Sequence, residues 1–252
     1  MAFSLPQDFS FQVPNKSSIN IKKNTKELNV FQIFDRKNEV PEIVKKNIMS
    51  LNENINYQLF DFEDGKKFIK DNFEPNIANR LVERINNLRR FAHKSDLLRY
   101  CLLYKLGGVY IDIDLEPLVP FRDIIKDYNF VTQLPCRTRI NTETKEPYRH
   151  IVNGFIYSEK NNGFLFNEIK FLMKMGSYSK HSLPCNHFYQ NMSGYFNMIP
   201  YSEIKIGDKF FYFNIEIKKN EKYQIVDKDN KILINSNGYD YPKGIKYKKY
   251  AF

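Results

Sequence analysis

The amino-acid sequence predicts an α/β fold, in which a central, mostly parallel β-sheet is flanked by helices and followed by a mixed α+β C-terminal part. Three observations support this class. Short apolar segments alternate with amphipathic segments of helical period over the first two thirds of the chain, an order that places helices against a parallel sheet. The last third contains mainly short strand-like segments joined by turns. Finally, 252 residues with 42% hydrophobic and 27% charged composition are enough to build one globular core.

The N-terminal half begins with an arm and a buried strand. Residues 1–27 are polar and interrupted by proline, so we expect an arm ahead of a single domain over 28–252. Residues 28–34 (LNVFQIF) are largely apolar, as in a strand covered on both faces. The next predicted elements are a helix that Pro41 opens and that runs to about Met49, a strand at 57–62, a helix at 64–72 and a helix from Pro75.

A capped helix is predicted from Ser95. Ser95 is a good N-cap residue, and Asp96 in the first turn complements the positive end of the helix dipole. Asp96 and Arg99 are three residues apart and therefore share a helix face. The Gly-Gly pair that follows ends the helix, and a strand is predicted over 109–113.

Two carboxylates lie at the end of that strand. On an extended segment Asp112 and Asp114 point to the same face, because side chains two apart lie on one side. Ligands of open α/β sheets commonly bind beyond the carboxyl ends of the strands. Asp-x-Asp is common in loops, but the apolar segment before it sets this pair apart from a solvated charge run. Mg²⁺ and Mn²⁺ prefer oxygen ligands and leave room for phosphate oxygens, so the pair predicts a metal–phosphate site.

The rest of the chain supplies further strands and helices, with a polar loop at 137–149. The predicted elements are strands at 130–133 and 151–158, helices at 164–175 and 185–192, and C-terminal strands at 209–217, 223–227 and 231–235.

Charge and cysteine content limit the function classes. The formal net charge of +10 favours anionic partners, but the lysines are dispersed, which argues against a dedicated nucleic-acid binder. Three widely spaced cysteines without a CxxC pair are typical of a reducing compartment, and not of a zinc site. No apolar run reaches the roughly 18 residues of a membrane span, and the N-terminus lacks the pattern of a signal peptide. We therefore expect a cytoplasmic protein, in a bacterial or viral setting.

Residues 95–118, SDLLRYCLLYKLGGVYIDIDLEPL, closely resemble the DXD signature of glycosyltransferase family 32, which is related to the catalytic domains of large clostridial glucosylating toxins. The family pattern, A-x-x-S-D-[LI]-x-R-Y-x-x-L-x-x-x-G-G-[IV]-Y-x-D-x-D, is met at every fixed position. Weaker matches occur at 30–34 (VFQIF for I-H-Q-I-W) and at 153–156 (NGFI for N-G-[FVI]-[IM]). The resemblance implies a GT-A fold and transfer of a hexose, with retention, from a nucleotide sugar to a glycan or protein. UDP-linked donors, UDP-glucose first, are favoured.

The resemblance also implies residue roles. Asp96, Arg99 and Asp112 are the implied catalytic residues: the first two hold donor-sugar hydroxyls, and Asp112 holds the ribose or sugar and assists at the metal. Asp112 and Asp114 ligate Mn²⁺ or Mg²⁺. The implied nucleotide-sugar-binding set is Phe31, Gln32, Phe34, Asp96, Arg99, Tyr110, Asp112 and Asn153. Because no carboxylate is singled out as a nucleophile, we expect front-face displacement, in which the leaving phosphate helps to deprotonate the acceptor hydroxyl.

The chain departs from the family at three places, and two other functions stay open. Tyr195 replaces the Pro of a [TS]-G-P segment, which Ser193-Gly194 otherwise resembles. Phe34 stands where the family has a base-stacking Trp, and the chain contains no Trp. The C-terminal segment that closes the family's metal site has only a weak counterpart at 235–239. A haloacid-dehalogenase-like phosphatase also places Asp-x-Asp after an apolar strand, although it normally continues with Gly where this chain has Leu115. A basic nucleic-acid-binding protein is the other alternative.

Overall fold

The computed structural model describes residues 27–134, 139–140, 147–148, 152–174, 203–206, 209–219 and 222–236. Its strands are β1 (Leu28–Ile33), β2 (Ile55–Phe60), β3 (Gly108–Ile111), β4 (Leu115–Pro117), β5 (Phe130–Leu134), β6 (Arg139–Ile140), β7 (Pro147–Tyr148), β8 (Val152–Ser158), β9 (Glu203–Ile206), β10 (Lys209–Lys219), β11 (Lys222–Val226) and β12 (Ile232–Ser236). Its helices are α1 (Glu42–Leu51), α2 (Phe62–Asn72), α3 (Pro75–Asn87), α4 (Phe91–Leu106), α5 (Phe121–Ile125) and α6 (Gly163–Lys174), with a 3-10 turn at Lys37–Glu39.

One large sheet organises the described residues, in the order β2-β1-β3-β8-β5-β10-β11-β12-β4, with β9 paired to β10. β1 is parallel to both of its neighbours, and β10 is parallel to β5. β8 runs antiparallel to β3 and β5, so it is the reversed strand among the first six. The later strands, β11, β12 and β4, are each antiparallel to the strand before them in the sheet. The predicted α/β class, with a mostly parallel central sheet flanked by helices, is confirmed.

Both faces of this sheet are covered, because alternate residues of each strand point to opposite sides. On one face, Phe31, Tyr110 and Ile156 pack against α2, α3, α4 and α6. On the other face, Val109 and Phe155 pack against α1 and α5, and against β4 and β12 as the sheet folds back. The carboxyl ends of β1 and β3, and the start of β8, therefore meet at one edge between these two cores.

The Gly-Gly pair between α4 and β3 is required by the backbone. Gly107 caps α4 with φ +65°, and Gly108 has φ +118°. A Cβ on Gly108 would lie 2.3 Å from the carbonyl oxygen of Asn29 in β1. The prediction that this pair ends the helix is confirmed, and the same residues let β3 enter the sheet directly beside β1.

The predicted helix start at Ser95 is wrong. The helix begins at Phe91, and its N-cap residue, Arg90, makes no side-chain capping hydrogen bond. Phe91 packs against Phe34 and Phe62. These tertiary contacts extend α4 by one turn on the N-terminal side of Ser95, the predicted cap. Ser95 therefore lies inside the helix, and Asp96 is not in its first turn.

The extended geometry predicted for the two acids is also wrong. β3 ends at Ile111, and the amide of Leu115 donates to the carbonyl oxygen of Asp112 at 3.1 Å, which closes a four-residue turn. Asp112 and Asp114 therefore occupy a turn between β3 and β4 and not two positions on one face of a strand.

The other predicted elements among the described residues lie within about two residues of their predicted bounds. β4, α5, β6, β7 and β9 were not predicted. The helix at 185–192, residues 1–26 and most of the loop at 137–149 lie outside the described residues. The division into an arm and one domain stays a prediction. Among the described helices, none is both long and apolar enough to cross a membrane.

Candidate active site

Arg99 is the centre of a buried polar cluster on α4. Its Nη1 donates to the backbone oxygen of Asn153 at 2.6 Å, and its Nη2 donates to Oγ of Ser95 at 3.1 Å. Its guanidinium carbon lies 4.2 Å from the centre of the Tyr110 ring. Burial opposes the charge, but Tyr110, Asp112 and Asp96 outweigh it and raise the pKa of Arg99, so this residue stays cationic. It is a fixed positive charge at the carboxyl edge of the sheet.

Two carboxylates from different elements contact this guanidinium. Oδ1 of Asp96 lies 3.3 Å from Nη2, and Oδ1 of Asp112 lies 3.4 Å from Nη1. Burial raises the pKa of Asp96 to about 6, against the lowering effects of Arg99 and of a hydrogen bond from Asn153. The structure therefore brings together the three predicted catalytic residues.

Asn153 links α4 to β8. Its Nδ2 donates to Oδ1 of Asp96 at 2.8 Å and to the hydroxyl of Tyr100 at 3.0 Å. Because its backbone oxygen also accepts a hydrogen bond from Arg99, Asn153 holds both Asp96 and Arg99 of α4 in place. Tyr100 follows Arg99 in the family pattern, but its contact with Asn153 was not predicted from the sequence.

Tyr110 holds the first acid of the turn. Its hydroxyl donates to Oδ1 of Asp112 at 2.6 Å and lies 3.4 Å from Oγ of Ser95. Burial raises the pKa of Tyr110, so it stays protonated and acts as a donor. Ser95, predicted as a helix cap, instead contacts both Tyr110 and Arg99.

The Asp112–Asp114 turn fits a divalent cation. Tyr110 and Arg99 both contact Oδ1 of Asp112, whereas Oδ2 faces Gly154, where a Cβ would lie only 2.9 Å from it. Burial and the charge of Asp112 raise the pKa of Asp114 to about 6. A cation would relieve this repulsion. Among the described residues, no group of three or more His, Cys, Asp or Glu that could hold a metal occurs. Carboxylate oxygens, such as those of Asp112 and Asp114, are ligands that hard divalent cations prefer.

The C-terminal strands lie next to this turn. In the pairing of β12 with β4, Ser236 is opposite Leu115, and Nδ2 of Asn235 donates to Oε2 of Glu116 at 3.4 Å. The first two residues of the weak match at 235–239 are therefore beside the turn, and residues 237–239 lie outside the described part.

The three predicted β1 residues differ in position. Phe31 is fully buried, with its ring edge-on to Phe60 in the helix-side core, so its side chain does not reach the site surface. Gln32 is also buried, and its Nε2 donates to the backbone oxygen of Asp112 at 3.5 Å. Phe34 is buried against Phe91, edge to face, beside the start of α4. Of the three, Gln32 contacts the acidic turn.

The chain is similar to several known proteins. Residues 38–131 match the family described as "Glycosyltransferase sugar-binding region containing DXD motif". The "Uncharacterized glycosyltransferase L373" of Acanthamoeba polyphaga mimivirus is 23% identical over 196 residues, which make up 75% of this chain and 73% of that protein. The solved PaToxG glycosyltransferase has a TM-score of 0.47 at 18% identity, covering 68% of this chain and 70% of that one. A transferase mutant has a TM-score of 0.39 at 11% identity, covering 70% and 88%.

The matched region contains the whole acidic turn, Asp112 to Asp114, and the Asp96–Arg99 pair. This region therefore corresponds to the sugar-binding, DXD-containing part of a glycosyltransferase. The chain is a glycosyltransferase, and the predicted likeness to family 32 is confirmed for this region.

Proposed function

We propose that the protein transfers a hexose from a nucleotide diphosphate sugar to a hydroxyl group of a glycan or protein. UDP-linked hexoses, UDP-glucose first, are the favoured donors. Transfer depends on Mn²⁺ or Mg²⁺, retains the anomeric configuration and takes place in the cytoplasm.

The acidic turn beside Arg99 carries this proposal. Asp96 and Asp112 contact the one guanidinium of Arg99, and Asp114 interacts electrostatically with Asp112, so when all three are ionised the cluster has an excess of negative charge. Asp112 and Asp114 would hold a divalent cation, whose charge would offset that excess. Such a cation, when bound, neutralises charge that develops on the leaving nucleotide.

The buried pair on α4 supports binding of the donor sugar. Both internal contacts of Asp96, from Asn153 and Arg99, use Oδ1, so Oδ2 does not take part in them. We assign Oδ2 of Asp96 and the guanidinium of Arg99 to hydroxyl groups of the donor hexose. Because the network orients these groups before the donor binds, little reorganisation is needed during the reaction. Asn153, whose polar groups hold Asp96 and Arg99, acts mainly as a positioning residue.

Front-face displacement remains our preferred mechanism. Asp96 and Asp112 contact Arg99, and we assign Asp112 and Asp114 to the cation. None of the three carboxylates is therefore free to act as a nucleophile. In this mechanism the bond to the leaving phosphate breaks as the acceptor oxygen attacks from the same face, and the acceptor proton passes to a leaving phosphate oxygen. Trapping of a glycosyl–enzyme adduct by mass spectrometry would contradict it.

A panel of nucleotide sugars tests the proposed function. Purified protein is incubated with UDP-, GDP- and CDP-linked sugars, with Mn²⁺ or with EDTA, and release of the nucleotide is measured beside the Asp114→Asn variant. We expect Mn²⁺-dependent hydrolysis of at least one UDP-hexose, and a loss in the variant. Absence of both turnover and metal-dependent nucleotide binding would reject the proposal.

The same assay separates the two alternatives. Hydrolysis of a generic phosphate ester without nucleotide-sugar turnover would favour the phosphatase. Steeply salt-dependent nucleic-acid binding that survives Asp112→Asn combined with Asp114→Asn would favour the nucleic-acid binder.

A further inference from the structure

Asp112 is held at its backbone and at one of its two carboxylate oxygens. Its amide donates to the carbonyl oxygen of Gly154 at 2.8 Å, and its carbonyl oxygen accepts from Nε2 of Gln32 at 3.5 Å. Oδ1 accepts from the hydroxyl of Tyr110 at 2.6 Å and lies 3.4 Å from Nη1 of Arg99. Within the described part of the chain, no donor contacts Oδ2, so this oxygen is left for a ligand.

The hydroxyl of Tyr110 is itself oriented from α4. Oγ of Ser95 lies 3.4 Å from it, a long contact in which the distance alone does not identify the donor. Because Tyr110 uses its proton in the hydrogen bond to Asp112, Ser95 must be the donor. Nη2 of Arg99 donates in turn to Oγ of Ser95 at 3.1 Å. The hydrogen bonds therefore run in one direction, from Arg99 through Ser95 and Tyr110 to Oδ1 of Asp112.

This chain of hydrogen bonds is buried. Ser95 and Arg99 are each 4% exposed, and Tyr110 is 1% exposed. Ser95 also holds the guanidinium a second time, because its backbone oxygen accepts from Nε of Arg99 at 3.3 Å. Hydrogen bonds in a buried network strengthen one another, and removal of one partner leaves a buried polar group unpaired. The orientation of Oδ1 is thus set from the helix.

We propose that Ser95 and Tyr110 are positioning residues that make Asp112 a one-oxygen ligand for the cation. Since Tyr110 and Arg99 engage Oδ1, Asp112 offers Oδ2 alone. Mg²⁺ takes a compact octahedral set of ligands and keeps several waters, whereas Ca²⁺ takes about six to eight oxygens and often both oxygens of one carboxylate. Mn²⁺ is also found in octahedral oxygen sites. The arrangement therefore selects Mg²⁺ and Mn²⁺ against Ca²⁺.

The position of Gly154 is a separate observation that agrees with this role. A Cβ on this residue would lie 2.9 Å from Oδ2 of Asp112, so the missing side chain keeps the space beside this oxygen open. The inference rests on the metal dependence in the proposed function and extends it to the choice of ion. Its new element is control of that choice by two residues that do not themselves bind the cation.

Metal binding, measured without turnover, tests the inference. Mn²⁺ alone is titrated into the protein and followed by the electron paramagnetic resonance of the free ion, and Ca²⁺ is then used to displace it. Selectivity is the dissociation constant for Ca²⁺ divided by that for Mn²⁺. Tyr110→Phe releases Oδ1, so Ca²⁺ can use both oxygens, and we expect this ratio to fall about tenfold. Ser95→Ala acts one step further away and should lower the ratio by less.

Tyr100→Phe is the matched control. It removes a buried tyrosine hydroxyl of the same helix that accepts from Asn153 and does not contact Asp112. We expect a lower melting temperature but the selectivity of the wild type, because general loosening of the site weakens both ions alike. If Tyr110→Phe does not fold, Ser95→Ala decides the outcome.

Three results would overturn the inference: an unchanged ratio in either Tyr110→Phe or Ser95→Ala, an equal fall in Tyr100→Phe, or a wild-type protein that binds neither ion or binds Ca²⁺ as tightly as Mn²⁺. Hydrolysis of nucleotide sugars by the wild type is measured separately and reports the proposed function. Transfer activity with unchanged ion selectivity in the variants would reject the positioning role alone.

Discussion

Asp96 and Asp112 contact the same guanidinium in different surroundings. The side chain of Asp96 is 6% exposed inside α4, whereas that of Asp112 is 37% exposed in the turn after β3. The first is enclosed by Asn153, Tyr100 and Arg99, and the second is next to Asp114 and lies over Gly154. One arginine thus joins a rigid internal pair to an acidic turn that is open to a ligand. The two carboxylates should respond differently to substitution and to metal.

The largest expected effect is on activity, in Asp114→Asn. We expect Mn²⁺-dependent turnover to fall by about 10²- to 10³-fold, because the diphosphate loses the charge that the turn holds in place. Initial rates with the best donor measure this loss. Glu116→Gln removes the same charge two residues further along the chain and should keep most of the activity; an equal loss in both variants would contradict a specific role for Asp114.

The same Asp114→Asn variant should be no less stable than the wild type in EDTA at pH 8. The pKa of Asp114 is about 6 in the folded chain and about 4 when unfolded. Between these pH values the folded state binds more protons than the unfolded state, so the folding stability of the wild type falls as pH rises. The full loss of stability caused by the ionised Asp114 is reached above pH 6. Melting curves from pH 4 to pH 8 should show the advantage of the variant growing with pH.

The next effect is on stability, in Asp96→Ala. Loss of one partner from a buried ion pair typically costs about 3–5 kcal/mol, and the remaining contact of Arg99 with Asp112 places this variant near the lower value. Urea unfolding measures it. Asp112→Ala, at the more exposed position, should cost clearly less, and equal losses would remove the contrast between the two sites.

A smaller effect is expected on metal affinity, in Gly154→Ala. The new Cβ would lie 2.9 Å from Oδ2 of Asp112, so the carboxylate or the turn must move. We expect Mn²⁺ to bind about tenfold more weakly, measured by calorimetry. Gly163→Ala is the control, since nothing lies within 4 Å of its added Cβ. An unchanged Mn²⁺ affinity in Gly154→Ala would place the cation elsewhere.

The smallest effect is a shift in the pH profile. Asp96 and Asp114 both have a pKa of about 6, so activity should fall as pH drops through that value. Protons compete with metal at Asp114, and therefore a tenfold rise in Mn²⁺ should move the midpoint down by up to about one pH unit. A midpoint that does not respond to Mn²⁺ would assign the titration to Asp96.

Much of the fold could be predicted from local pattern. The apolar strand β1, the Pro-started α3 and the Gly-Gly end of α4 depend on neighbouring residues, and each was found close to its predicted place. The start of α4 could not be predicted in the same way, because Phe91 extends the helix through contacts with Phe34 and Phe62, which are distant in sequence.

In the candidate site, too, the contacts that follow from local pattern were predictable, and those between distant segments were not. Asp96, Arg99 and Asp112 meet as the motif predicts, since two share a helix face and the third follows the adjacent strand. The positions of Tyr100 and Gly154 in the network could not be predicted, because their contacts join β8 to α4 and to the turn after β3 and leave no periodic trace in the sequence. The two-residue alternation failed at Asp114 because the chain had already turned.

The pairing of β4 with β12 has a consequence for how the chain reaches its active form. β4 follows the acidic turn directly, yet its partner strand is made about 120 residues later, as in the Glu116–Asn235 hydrogen bond with a separation of 119. Contacts of such long range form late and slow folding. During synthesis, the segment after the acidic turn can pair with β12 only once the last strands have been made. A nascent chain truncated before β12 would contain the complete motif but lack the strand that pairs with β4.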